Sequence, residues 1–504
     1  MLRVIHRRDA RAPTLFSMIM TKPIAVHDHP HSQNRFAVTP TRLRLDADPN
    51  YNGGGVTVAF LDSGFSPHPD LVEPTNRIIA FKDVSGETKS LHAQDMTESW
   101  RWHGTQTSVV AAGNGQLSDG TYKGLAYESD LVLVKASENG DISEDNIARG
   151  IEWIIENRER YNIRVLNISL GGDEDVPCSR SIIDQAAEEA IRQGIVVVAA
   201  AGNSGNDGRH SIPPANSPSV ITVGGYNDQN NLQRNGLDLY HSNFGATADG
   251  SIKPEIIAPA MWVAAPILPG TVLYHQAEAL SRLASAPDYL LPSLVEDCGT
   301  QLELTRSIVG ASPEEIRRFI ELLLNQNKIV ANHYQHVDGT SFATPIVSSI
   351  AAQMIQANPA LTPGAVKNIL VSTADRIANA PAIRQGYGAV NARRAVALAK
   401  TEEHALKTVG CRPPRVENGR LVFLYHDDEA KSVSLVGDFN RWDTASTPLR
   451  KDESGLWLAD IEAPKAGNYQ YKFIVDGSRW LEDPSNGLKV PDTYGGLNSV
   501  LAID

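Results

Sequence analysis

Three residues spread across the chain, Asp62, His103 and Ser341, are of types that together can activate a hydroxyl for attack. A serine hydroxyl is a weak nucleophile until an imidazole takes its proton, and the imidazolium so formed must be oriented and stabilised by a carboxylate. Attack on a carbonyl then creates an oxyanion. Asn203, on the turn Gly202-Asn203-Ser204-Gly205, offers a side-chain N–H for it, with the Ser341 backbone N–H as companion. The chain order Asp, His, Ser is one of the unrelated orders in which this constellation occurs. Each residue also has a plainer reading. Asp62 before Ser63-Gly64 suits a turn, and a lone histidine is more often a satisfied polar residue. In Gly339-Thr340-Ser341-Phe342-Ala343-Thr344-Pro345 the Thr or Ser is either a helix N-cap with Pro345 in the first turn, or the serine is a nucleophile held exposed over a buried backbone.

The surrounding elements are the kind that position such groups. Val56 to Leu61 is a short, β-branched, apolar run that suits a buried parallel strand and delivers Asp62 to its carboxyl end, where open α/β sheets build their sites. Trp102 to Gly113 is a small-residue helical segment with His103 at its start. Further strands are expected at Leu131–Ala136, Val165–Leu170, Ile195–Ala201 and Ser219–Val223, with helices at Glu144–Glu159 and Ser181–Gln193 between them. This β, α alternation predicts an α/β fold: a parallel sheet with helices on both faces. A largely helical insertion is expected at about 264–337, where Ser312-Pro313-Glu314-Glu315 forms a capping box ahead of the apolar face Ile316, Phe319, Ile320, Leu323 and Leu324. Residues 1–50 read as an N-terminal arm, 51–400 as the α/β domain and 401–418, with Pro413-Pro414, as a linker. Residues 419–504 alternate in short strands divided by turns, which predicts a small immunoglobulin-like β-sandwich.

The chain has 504 residues, with 46 Lys+Arg against 59 Asp+Glu and a formal net charge of −13. That balance, with no block of like charges, argues against a general nucleic-acid binder. Cys178, Cys298 and Cys411 lie far apart and have neither metal-site spacing nor the even count of a disulfide framework. No run of about 20 apolar residues occurs, so no membrane-spanning helix is expected. Leu15 to Met20 is too short for a signal-peptide core, and a cytoplasmic location is expected.

The segments around Asp62, His103, Asn203 and Ser341, in this order and these contexts, resemble the subtilisin-like serine peptidases over roughly residues 50–400. The resemblance extends to Ser169-Leu170-Gly171-Gly172, Pro218 to Gly224 and Lys253-Pro254-Glu255. It implies a serine endopeptidase acting on protein or peptide, with Ser341 the nucleophile, His103 the general base and then acid, Asp62 its orienter and Asn203 the oxyanion donor. It further implies that Ser169, Leu170 and Gly171 pair with substrate and line the S1 pocket. Ile212 would lie near the floor of that pocket and favour small or medium P1 residues. No cofactor is required by this chemistry. Calcium is possible, because Asp70 resembles a family ligand position. Gln106 stands where the family commonly has a second histidine. The alternative class is a peptidase-fold scaffold without catalysis.

In the last domain, Gly437-Asp438-Phe439-Asn440-Arg441-Trp442 and Tyr471 to Gly477 resemble the glycogen-binding modules of AMP-activated kinase β subunits and of branching enzymes. Trp442, Lys472, Trp480 and Asn498 fall on the sugar-contacting positions of that family, with Trp442 expected to be exposed, whereas Tyr494 and Gly496 depart from it. The module is therefore expected to bind an α-glucan or, like some relatives, to dock on a partner protein.

Overall fold

A computed structural model of the chain describes residues 38–503 apart from 88–89, 92–100, 173–175, 209, 233–235, 300, 303–307, 402–413, 418–419, 428, 452–455, 487–488, 493 and 495. Most of the expected arm and linker, with Cys411, lie outside the described residues.

The first domain is built on seven parallel strands: β1 (Thr57–Asp62), β2 (Ile78–Asp83), β3 (Asp130–Lys135), β4 (Ile163–Ile168), β5 (Val196–Ala200), β6 (Ile221–Asn227) and β7 (Ile256–Pro259). Their spatial order is β7-β6-β5-β4-β1-β3-β2. Residues at successive positions of each strand enter opposite cores, as the two-residue pleat requires. Val58 and Phe60 of β1 join one core, whereas Ala59 and Leu61 join the other. On the second face lie α2 (Glu144–Glu156) and α3 (Ile182–Arg192), each opened by a serine cap, Ser143 and Ser181. The expected strands and helices here hold to within a few residues. Edge strand β2 was not expected, because its half-buried sequence Ile78-Ile79-Ala80-Phe81-Lys82-Asp83 shows no clean alternation.

On the first face lie α1 (Arg101–Ala112) and α7 (Thr340–Ala357), with α8 (Pro363–Ser372) and α9 (Ala392–Thr401). Helix α7 is buried from Thr340 to Ile355. A helix apolar all round has no solvent face, and this one runs through the domain against α1, α9 and strands β4 to β7. At the amino ends of β6 and β7, Lys253 and Lys367 both reach Glu255 Oε1 at 2.6 Å, and each donates to the Val220 carbonyl at 3.0 Å.

The insertion differs from expectation at its ends. It opens and closes with strands, β8 (Val263–Pro266) pairing antiparallel with β10 (Tyr334–Val337), and β9 (Ile329–Ala331) beside them. Helices α4 (Val272–Ser285), α5 (Leu291–Cys298) and α6 (Pro313–Gln326) sit between, around a small core of Leu280, Leu283, Val295, Ile316 and Ile320. The capping box forms: Glu315 N–H donates to Ser312 Oγ at 3.3 Å and Ser312 N–H to Glu315 Oε2 at 2.9 Å. The antiparallel base was missed because its strands are four residues or fewer. The described part of the N-terminal arm is anchored by Arg44, which is buried and grips Asp228 at 2.6 and 2.8 Å.

The last domain packs two antiparallel sheets. One contains β11 (Arg420–His426) and β13 (Leu456–Glu462); the other contains β12 (Val433–Gly437), β14 (Gly467–Val475), β15 (Arg479–Leu481), β16 (Lys489–Pro491) and β17 (Leu497–Ile503). Phe423, Leu435, Tyr471 and Phe473 fill the space between. The domain touches the first one directly. Tyr387 Oη donates to the Lys489 carbonyl at 2.6 Å and accepts its N–H at 2.8 Å.

Candidate active site

Strands β1 and β4 are neighbours, but the chain leaves β1 toward β2 and β3 and reaches β4 on the other side. This is the switch point of the sheet, beyond whose carboxyl strand ends open α/β folds build their sites. Asp62 ends β1 and Ser169 follows β4 there. Asp62 is buried, with Oδ1 accepting the Ser63 N–H at 2.7 Å and Oδ2 the Thr107 hydroxyl at 3.1 Å. The imidazole of His103 in α1 donates from Nδ1 to Asp62 Oδ1 at 2.7 Å, leaving Nε2 as its other nitrogen. Gly104 permits this approach: a Cβ there would stand 2.3 Å from the Gly64 carbonyl oxygen and 3.0 Å from Asp62 Cβ.

Ser341 is the second residue of α7, and the cap is Gly339, without a side-chain capping bond. The plain N-cap reading of the serine therefore fails. So does the expectation of exposure, since Ser341 is only 4% exposed in the buried first turn of α7. Pro345 lies beyond the first turn and has a specific effect. Having no N–H, it cannot bond the carbonyl four residues back, which is that of Ser341. The freed oxygen instead accepts the Ser169 hydroxyl at 2.9 Å. Ser169 is itself held by Asn167 at 3.1 Å, and Asn167 by Ser348 at 2.9 Å.

Asn203 stands on the other side of this turn. Its Oδ1 accepts both the Thr340 N–H at 2.9 Å and the Thr340 hydroxyl at 3.0 Å, so the amide plane is fixed with its N–H groups on the opposite side. The backbone oxygen of Asn203 accepts from His241 Nδ1 at 2.7 Å. Gly339 has φ +143, and a Cβ added there would stand 3.6 Å from Asn203 Nδ2. Ser341 thus sits between Thr340, which holds Asn203, and Phe342, whose ring centroid is 5.7 Å from that of His103. Thr107 was legible as the i+4 neighbour of His103 on one helix face. Thr340 and His241 carried no signal of their own.

Leu170 is buried, and Gly172 N–H donates to the Pro213 carbonyl at 2.8 Å, which brings the half-buried Ile212 to the loop of Leu170 and Gly171. Gln106 uses its amide to join the insertion, donating to the Pro266 carbonyl at 2.9 Å. At Asp70 the carboxylate accepts the Leu117 N–H on Oδ1 at 3.1 Å and the Tyr334 hydroxyl on Oδ2 at 2.6 Å, one donor on each oxygen. Among the described residues no group of three or more His, Cys, Asp or Glu side chains is placed to hold a metal.

In the sandwich, Lys472, Ile474, Trp480 and Asn498 share the sheet face turned away from the core, because Trp480 pairs with Ile474 and Asn498 follows the Ser499–Tyr471 pair. Trp480 is 47% exposed. Trp442 is half-buried rather than exposed, since its Nε1 is drawn to Asp438 Oδ1 at 2.9 Å. Lys472 is paired with Asp492 at 2.5 Å, and the Asn498 amide donates to Gln470 Oε1 at 2.8 Å, so both bond within the protein.

Residues 53–389 match the subtilase family, Peptidase_S8, and residues 408–488 match carbohydrate-binding module 48, the isoamylase N-terminal domain. Serine protease AprX of Bacillus subtilis is 32% identical over 356 residues, which is 68% of this chain and 66% of AprX. M-protease of Shouchella clausii is 28% identical over 347 residues, 68% of this chain and 64% of that protein. The chain thus spans about two thirds of the length of these relatives. The solved protease domain of PatA is 22% identical, with a TM-score of 0.46, over 71% of this chain and 98% of that domain. The switch point and the residues gathered there lie within the matched region, and the chain belongs to the subtilase family, with a module of the carbohydrate-binding 48 family after it.

Proposed function

We propose that the chain is a serine endopeptidase in which Ser341 attacks the peptide carbonyl, His103 takes the hydroxyl proton and returns it to the leaving amine, and Asp62 holds the imidazole. The observation that carries this reading is the 2.7 Å bond from His103 Nδ1 to a buried Asp62, beside a serine whose turn also fixes Asn203. The Nδ1 bond sets the tautomer that leaves Nε2 to accept a proton. The oxyanion forms between Asn203 Nδ2 and the Ser341 N–H, donors fixed before the reaction begins. Ser169, Leu170 and Gly171 receive the substrate backbone, and Ile212 limits the depth of the P1 pocket.

A fluorophosphonate probe tests the assignment. It should label the wild-type chain, and labelling should vanish in Ser341→Ala. A correctly folded wild-type chain that remains unlabelled would favour the scaffold reading. For the sandwich, the exposed Trp480 supports binding of an α-glucan through stacking on a sugar ring, with Lys472 and Asn498 reaching hydroxyls after exchanging their present partners.

A further inference from the structure

Helix α6 ends at Gln326 with Asn327 as its C-cap, and the next residue, Lys328, has φ +55. Glycine is favoured at such a position because a Cβ is strained there. Lysine is held in place regardless: its N–H donates to the Asn325 carbonyl at 3.2 Å and its carbonyl accepts the His336 N–H at 2.8 Å. Its ammonium pairs with the Asp338 carboxylate. That carboxylate also accepts the Trp262 N–H at 3.3 Å and lies 3.9 Å from His336 Nδ1. Burial alone would raise the Asp338 carboxyl, but His336 and Lys328 hold it down at about 2.

Asp338 immediately precedes Gly339, the N-cap of α7, which lacks a side-chain cap of its own. Gly339 N–H donates to the Ala260 carbonyl at 2.8 Å. The turn that presents Ser341 is therefore anchored from outside the helix, at residues just before and just after the insertion, and Lys328 brings a cation to Asp338 from the end of α6. We infer that Lys328 is a positioning residue: the insertion braces the nucleophile turn through the Lys328–Asp338 pair and so sets turnover. This rests on the reading of Ser341 as nucleophile. Strain kept at a residue whose side chain reaches a functional turn is the pattern expected of such a role.

The test uses the full chain, a fluorogenic peptide substrate and active sites titrated with the fluorophosphonate, so that kcat refers to folded enzyme only. Lys328→Gly removes the strain along with the charge. It should keep or raise the melting temperature while lowering kcat about tenfold, because small misplacements of a reacting group are costly. KM should stay within about twofold, and Lys328→Arg should recover most of kcat. A brace that served stability alone would give the opposite pattern. Titrated kcat within about twofold of wild type in Lys328→Gly, or an equal loss in Lys328→Arg, would overturn the inference. Should Lys328→Gly not fold, Lys328→Met is read by the same criterion. Turnover surviving in Ser341→Ala would overturn the nucleophile reading itself, whereas an inactive Ser341→Ala beside an unimpaired Lys328→Gly would sink only the brace.

Discussion

His68 caps the short turn that begins at Pro69, accepting the Asp70 N–H on Nδ1 at 3.2 Å, and it is wholly buried, with Nε2 unpartnered among the described residues. Burial lowers its pKa from 6.5 to about 4; Asp70 opposes that fall, and His333 of the insertion adds to it. Above pH 6.5 the imidazole is neutral in both states and contributes nothing to the pH dependence. As pH falls from 6.5 toward 4, the unfolded chain binds a proton that the native state refuses, and the native state loses up to about 3 kcal/mol at about 1.4 kcal/mol per pH unit. Asp184 works in the other direction. Burial, opposed by Ser181 and reinforced by Glu188 and Asp249, raises its carboxyl from 3.8 to about 7. Between those values the native state keeps a proton the unfolded chain has released, and so gains up to about 4 kcal/mol as pH falls. The two slopes nearly cancel in the wild type. His68→Asn keeps the cap acceptor and removes the titration. Between about pH 7 and about pH 4.5 it should gain about 2.5 kcal/mol relative to wild type, and Asp184→Asn should lose about as much. Guanidinium unfolding followed by tryptophan fluorescence, in a Ser341→Ala background, measures both. A His68→Asn difference that stays constant within about 0.5 kcal/mol across this range would refute the reasoning.

Asn203→Ala should lower kcat about a hundred- to a thousandfold with little change in KM, checked by steady-state kinetics on a peptide substrate. Ile212→Gly should shift P1 preference from small or medium residues toward Phe and Tyr; a library profile unchanged by the substitution would remove Ile212 from the pocket. Trp480→Ala should abolish co-sedimentation with glycogen, while Trp442→Ala, whose indole is tied to Asp438, should weaken it less. Equal binding by Trp480→Ala and wild type would take the exposed indole out of the site.

Much of this architecture was legible because it rests on local signals. Apolar runs bounded by glycine gave the parallel strands, and the Ser312-Pro313-Glu314-Glu315 cap gave α6 its start. What escaped depends on partners distant in the chain. The exposure expected for Ser341 was wrong because burial of α7 is set by the elements packed around it, not by its own turn. The antiparallel base of the insertion joins Val263 to Val337, strands too short to show a period. Trp442 reads as exposed from its charged neighbours, but Asp438 draws it down. The ties of Thr340 and His241 to Asn203 span 137 and 38 residues, and nothing in their surroundings marks them.

The missing N–H of Pro345 has a mechanical consequence. A helix ordinarily carries its first-turn residues with it when it slides or bends, because their carbonyls are hooked to the following turn. Here the Ser341 carbonyl is hooked to Ser169, next to the end of β4, and Asp62 ends the neighbouring strand, where Leu61 pairs with Ile168. The hydroxyl and the carboxylate thus share one frame of reference, the sheet. Substitutions toward the far end of α7 should shift that helix without altering the spacing between them.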